Sequence, residues 1–216
     1  MTASHKTEVA GHPFDASAAE VDQPRSEQQE LRQRIISQAT RLFAEKGFSA
    51  TSIRELARAC DCTRPALYYY FDSKENLFRY IVQQHLNKIR RMITNWTGTA
   101  VTMREGVHEA IDMLADYAEA NPDIWQLLQR LETRPETDAL NFNILAVRKL
   151  HLQMLGNIVA RGIANDEVNP SVDPGDCAIV ITGTLSVQFE LALATGQWDR
   201  PRLHRTIELI FNGIAA

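Results

Sequence analysis

Apolar residues recur every three or four positions along most of this chain, and no stretch alternates as a half-buried strand does, so the pattern predicts helices throughout. Leu31, Ile35, Ile36, Ala39, Leu42 and Phe43 form one stripe of a first helix over 26–46, which Gly47 ends. A short helix follows. Thr51 or Ser52 supplies its N-cap, Ser52 and Glu55 have the spacing of a capping box, and Ile53, Leu56, Ala57 and Cys60 mark its buried face. Asp61 then stands where a left-handed residue is needed, since a short polar side chain tolerates positive φ better than most. Thr63 caps the next helix and Pro65 sits in its first turn, where a missing N–H does no harm.

Beyond this pair, Asp72, Ser73 and Glu75 open a long helix reaching about Trp96, with Leu77, Phe78, Ile81, Val82, Leu86, Ile89 and Ile93 at core spacing. After a glycine-containing break, helices are predicted over 102–119, over 122–131 with Asn121 as cap and Pro122 at its first position, and over 138–164. Asp173-Pro174 starts another over 175–195, and Asp199 with Pro201 repeats the device for a last helix ending near Gly213.

The short helix after Asp61 carries the most informative chemistry. Leu67, Tyr70 and Phe71 are spaced to face inward, whereas Arg64 and Tyr68, and Pro65 and Tyr69, pair four apart on the other side. That outward face is basic, aromatic and small. It suits a helix entering a DNA major groove: Arg64 forks onto guanine O6 and N7, and Pro65 and Ala66 touch a thymine methyl. A helical hairpin of a protein core is the alternative, but three consecutive tyrosines cannot all bury satisfied hydroxyls on so short a helix.

These residues resemble the DNA-binding domain of the TetR family of transcriptional regulators: the T-S-I-R-E-L-A run from Thr51 to Ala57, the L-Y-Y-Y-F run from Leu67 to Phe71, and the S-K-E beginning at Ser73. The resemblance implies that Thr51, Thr63, Tyr68, Tyr69 and Lys74 lie near phosphates, that Arg64, Pro65 and Ala66 lie near base edges, and that Arg54 serves either. Cys60 and Cys62 depart from the small apolar residues usual there, and Asp61 replaces the usual glycine of the turn. The expected fold is all-α, an N-terminal three-helix helix-turn-helix DNA-binding domain followed by a C-terminal helical bundle for ligand binding and dimerisation. The expected division is a disordered tail over 1–25, the DNA-binding domain over 26–73, a connecting helix over 74–96, and a ligand-binding and dimerisation domain over 97–216.

Charge agrees once it is resolved by region. The 216-residue chain has a net charge of −4, which by itself argues against a general nucleic-acid binder. Residues 26–91, however, hold 12 Lys and Arg against 7 Asp and Glu, a balance of +5, while 92–216 hold 9 against 16, a balance of −7. The basic part is the one expected to meet phosphate. The first 25 residues are polar, carry two prolines and show no apolar period, and Lys6 and Arg25 stand against Glu8, Asp15, Glu20 and Asp22, so no DNA-gripping arm is expected. No apolar run approaches the roughly 20 residues that span a bilayer, and the N-terminus lacks the order of a signal peptide; a cytoplasmic protein is expected. Cys60, Cys62 and Cys177 form no disulfide framework and no metal set, and are expected as small buried hydrophobes.

In the second domain the resemblance implies a pocket for an apolar or aromatic small-molecule effector, with Met92, Trp96, Met103, Val107, His108, Ile111, Tyr117, Trp125, Leu128, Phe142 and Met154 on the surrounding helices and His151 as a further polar group. It also implies a homodimer through the last two helices, with Ile179, Thr182, Gly183, Ser186 and Phe189 on one and Leu203, Ile207, Ile210, Phe211 and Ile214 on the other; periodicity alone equally allows these faces to pack within one subunit. No enzyme is expected. His108 and Asp112, with Glu105 and Glu109 nearby, have metal-face spacing, but no second helix completes the set by sequence, and there is no phosphate loop, nucleophile elbow or zinc-finger spacing. No cofactor or metal is expected. The reading is a regulator that binds inverted-repeat operator DNA as a homodimer, a ligand-released repressor ahead of an activator or co-ligand-dependent regulator, and more remotely a helical binding protein without a DNA role.

Overall fold

The computed structural model describes residues 23–96, 100–133 and 144–214, and among these the regular structure is helical. The elements are α1 (Gln23–Lys46), α2 (Ile53–Ala59), α3 (Arg64–Tyr70), α4 (Lys74–Asn95), α5 (Met103–Ala120), α6 (Pro122–Thr133), α7 (Ile144–Ala164), α8 (Pro174–Thr195) and α9 (Arg200–Ile214). The all-α expectation holds. The tail expected over 1–25 lies outside the described residues up to 22, and α1 begins at Gln23, three residues earlier than predicted. The first six residues of the helix predicted over 138–164 also lie outside them.

Caps set most of the boundaries. Ser52 and Glu55 form the reciprocal capping box of α2, Thr63 accepts from Ala66 N at 3.2 Å, Ser73 accepts from Asn76 N at 3.0 Å, and Asp173 accepts from Asp176 N at 2.8 Å. Thr102 and Glu105 form a second box at the head of α5. Asn121 stands at the cap position of α6, its carbonyl accepting from Trp125 N at 3.0 Å, while its side-chain amide donates back to Tyr117 O at 2.8 Å and closes the end of α5. Gly47, at φ 85°, ends α1, and Asp61 holds the turn between α2 and α3 at φ 49°.

Three aromatic rings fix the N-terminal core. Phe78 on α4 lies 4.9 Å edge-on from Phe43 of α1 and 4.9 Å from Phe48 in the following loop, and Ile35, Leu56 and Leu67 are fully buried beside them. The first turns of α4 therefore belong to the same core as the helix-turn-helix. Farther along, Ile89 and Ile93 of α4 join Val107, Ile111, Leu155, Ile158 and Ile181 in the C-terminal bundle. Helix α5 approaches α7 so closely at Gly162 that an added Cβ would stand 2.7 Å from Met103 Cβ. A side chain there has no room.

Helix α8 corrects one expectation. By length and composition it is apolar enough to cross a membrane, although no such run was expected. Its apolar residues go all round because one side packs in the bundle, with Cys177, Ile181, Leu185 and Phe189 buried, while Ile179, Val180, Val187 and Leu191 on the other side stand exposed. A helix covered on both sides by protein has this composition.

Candidate nucleic-acid interface

Helix α3 is seven residues long and rests on two side chains, Leu67 and Phe71, that sink into the core. Burial of those two dictates what faces out. Thr63, Arg64 and Pro65 are exposed at its head, Ala66 is half-buried, and Tyr68 and Tyr69 are 44% and 74% exposed. Tyr69 is braced edge-on by Tyr70 at 5.2 Å, so its hydroxyl is held away from the body of the domain. Arg54 and Arg58 on α2 are exposed as well. Arg54, Thr63, Arg64, Pro65, Tyr68 and Tyr69 are thus exposed and Ala66 half-buried, and together they offer guanidinium, small apolar and hydroxyl groups, the kinds used for base edges and phosphates.

Two of the expected phosphate contacts are turned inward. Thr51 is 1% exposed, and its hydroxyl donates to Gly47 O at 2.8 Å, so it closes the loop after α1 and offers nothing to a phosphate. Lys74 donates to Phe48 O and to Thr51 O, each at 2.9 Å, with its ammonium 4.2 Å from the Phe48 ring centroid. Phe48 O also accepts from Thr51 N at 3.3 Å, so the lysine ties the first turn of α4 to a loop that is itself closed by a backbone bond. Sequence spacing places both residues on the right edge; it does not tell which way they turn.

The turn before α3 carries Cys60 and Cys62, both free thiols. Burial raises Cys60 to about 11 and raises Cys62 as well. They are inert packing groups, as expected.

Behind the interface lies a cavity of about 120 Å³ walled by α4 (Leu86, Ile89, Ile93), α5 (Leu114), α6 (Trp125, Leu128, Gln129), α7 (Ile144, Val147, Arg148, His151) and α8 (Thr182, Leu185, Ser186, Phe189). Of the expected pocket residues, Trp125 and Leu128 line it, and so does His151, the further polar group expected there. Met103, Val107, Ile111, Tyr117 and Met154 are instead buried packing between helices, Met92 and Trp96 pack part-exposed against the core, and Phe142 lies outside the described residues. An apolar residue at helical spacing faces a core or a cavity with the same signature, so periodicity could not separate them.

His108 is displaced farthest from expectation. It sits on the outer side of α5, where its Nε2 meets Glu208 Oε1 of α9 at 2.8 Å and its Nδ1 meets that of His204, whose Nε2 lies 2.9 Å from Asp112 Oδ1. Burial and the neighbouring His204 lower its pKa. Arg200 completes this α5–α9 seam with bonds of 2.8 Å to Asp116 and Glu119. Glu105 is spent on its capping box, and among the described residues no group of three His, Cys, Asp or Glu side chains is arranged to hold a metal ion.

Comparison with known proteins places the helix-turn-helix segment. Residues 35–81, from mid-α1 into α4, match the family described as bacterial regulatory proteins, tetR family. The helix-turn-helix segment of this chain is of the TetR type. The chain is 46% identical over 57 residues to the HTH-type transcriptional regulator AcrR of Shigella flexneri, a stretch that is 26% of each protein. It is 28% identical over 173 residues to the uncharacterized HTH-type transcriptional regulator YerO of Bacillus subtilis, covering 69% of this chain and 59% of YerO, so the match spans less than two thirds of that relative. The TetR-family transcriptional regulator PfmR of Thermus thermophilus superposes with a TM-score of 0.67 at 26% identity, over 83% of this chain and 97% of PfmR.

The last two helices divide otherwise than expected. Thr182, Phe189, Leu203, Ile207 and Phe211 are buried inside the subunit, Ser186, Ile210 and Ile214 are part-buried, and Ile179 and Gly183 are exposed. The outward apolar face is made of Ile179, Val180, Val187 and Leu191 on α8 and Leu209 on α9, the last 72% exposed. The expected faces follow apolar or small residues at helical spacing, a pattern that an inward and an outward face share. The core claims the apolar ones first.

Proposed function

We propose that this protein is a transcriptional repressor that binds an inverted-repeat operator as a homodimer and releases it when a small apolar effector enters the cavity. The observation that carries the proposal is the exposed face of α3, where Arg64, Pro65, Tyr68 and Tyr69 point away from a core anchored by Leu67 and Phe71. Arg64 reads a guanine, Pro65 and Ala66 meet a thymine methyl, and the hydroxyls of Thr63, Tyr68 and Tyr69 hold phosphates; Arg54 adds a basic contact to either. The DNA-binding unit is residues 26–73, α4 is the connector, and the remainder binds effector and partner.

A homodimer is supported by the uncovered apolar face around Ile179, Val187 and Leu209. Gly183, beside Ile179 and Val187, has nothing within 4 Å of an added Cβ and admits close approach of a second helix. A two-fold axis through this face gives an isologous interface and sets two α3 helices about one or more DNA turns of roughly 34 Å apart.

Coupling runs through two of the cavity's walls. Leu86, Ile89 and Ile93 belong to α4, whose first residue, Lys74, is bonded to the loop that starts the helix-turn-helix. Trp125 and Leu128 belong to α6, whose Arg130 donates to Ala44 O and Glu45 O at the end of α1, each at 3.4 Å. An effector that spreads these walls moves both attachments. A differential affinity of about 1–3 kcal/mol between the two states lowers operator affinity from several-fold to about a hundredfold. Selection of random-sequence DNA by the purified protein tests the function: the expected product is an inverted repeat, and enrichment of no such repeat overturns the proposal.

A further inference from the structure

Three of the residues lining the cavity bury a polar atom that has no hydrogen-bond partner among the described residues: Nε1 of Trp125 on α6, Nε2 of His151 on α7, and Oγ1 of Thr182 on α8. Each comes from a different helix. Native proteins pair nearly all buried polar groups, so three orphans around one cavity require a reason. Their neighbours give none: Trp125 makes edge contacts with Tyr117 at 6.5 Å and Phe189 at 5.4 Å, which hold the indole in place without using its N–H.

We infer that the cavity takes an uncharged, compact amphiphile, a single ring or a short chain carrying one hydroxyl or carbonyl oxygen, and that Trp125, His151 and Thr182 recognise that oxygen. This rests on the reading of the cavity as the effector site and narrows the class of effector. The indole N–H donates only, so the ligand must bring an acceptor; the Thr182 hydroxyl and the imidazole each adapt to donate or accept.

Size and charge narrow the class in the same direction. A volume of about 120 Å³ is close to the ~150 Å³ of an engineered apolar cavity that takes benzene. Burial, with Arg148 adding to it, holds His151 at about 4, so its imidazole is neutral near pH 7 and Arg148 is the one cationic side chain among the described lining residues. Leu86, Ile89, Ile93 and Leu185 supply the apolar walls. A carboxylate entering them loses its hydration with Arg148 alone to offset the loss.

Calorimetric titration of the full chain with p-cresol, toluene and benzoate tests the class. The expected result is that p-cresol binds at least about tenfold tighter than either of the others, because a site built for a hydroxyl rejects an analogue lacking it. Trp125→Phe and Thr182→Val, which keep the cavity's shape, are each expected to weaken p-cresol about tenfold and to leave toluene unchanged. Equal binding of toluene and p-cresol overturns recognition of the oxygen, and tighter binding of benzoate overturns the uncharged class; both leave the effector site standing. Binding of none of the three overturns this inference and the effector-site reading with it.

Discussion

Lys74 Nζ, in the first turn of α4, donates to the backbone carbonyl of Thr51 across 2.9 Å. With the parallel bond to Phe48 O, it fastens the connecting helix to the segment from which the helix-turn-helix starts. Lys74→Met therefore removes a strut, not a phosphate contact. The expected loss is about 1–3 kcal/mol of stability, as for hydrogen bonds to a charged donor, seen as a lower denaturation midpoint. The slope of log affinity for DNA against log salt is expected to stay unchanged, whereas a lost phosphate contact lowers it by about one.

Asp61 occupies a left-handed conformation, φ 49°, in the turn between α2 and α3. A residue with a Cβ is strained there and glycine is not. Asp61→Gly is expected to stabilise the protein by up to about 1 kcal/mol, measured by thermal denaturation, with DNA affinity retained.

Acid is expected to destabilise the protein through His151. Its folded pKa of about 4 lies below the ordinary 6.5 because burial disfavours the charged form. The unfolded chain therefore binds the proton first. Stability is full above pH 6.5, falls as pH drops below that value, and stops falling below about 4. Between pH 7.5 and 5 the loss from this residue is about 2 kcal/mol. Burial lowers His85 and His108 too, so the measurement is the difference between the protein and His151→Phe in urea titrations at the two pH values. A smaller loss in the variant is the expected result.

The uncovered face of α8 predicts an oligomer. Val187 is 58% exposed, and a charge there disturbs nothing within the subunit. Val187→Arg is expected to shift the protein from dimer to monomer in light scattering while leaving its helix content unchanged, and to weaken binding to an inverted repeat with it.

Much of this molecule was legible in its sequence, because local signals agreed with one another. The S-x-x-E box at Ser52, the Thr63 cap with Pro65 behind it, and the Asp173-Pro174 start all stand where they were placed. So does the division of α3 into an inward Leu67 and Phe71 and an outward Arg64, Tyr68 and Tyr69. What failed depended on tertiary direction. Thr51 and Lys74 are at the expected edge but turned inward to bond carbonyls at a helix end and in a loop. His108 finds its partners, His204 and Glu208, about a hundred residues away on α9. Val107 and Ile111 have the same spacing as cavity-lining residues, and only the packing of α5 against α7 decides that they fill the core.

The central claim is that the outward face of α3 reads a DNA sequence. Its most direct test is the affinity of the protein, and of Arg64→Ala, for the selected operator and for scrambled DNA of the same composition, at one fixed salt concentration. The protein is expected to prefer its operator by about a thousandfold or more, and Arg64→Ala to lose about 1–3 kcal/mol on the operator and to relax the preference at one base position per half-site. Equal affinity for operator and scrambled DNA, or an Arg64→Ala protein that discriminates as well as the original, would contradict the account.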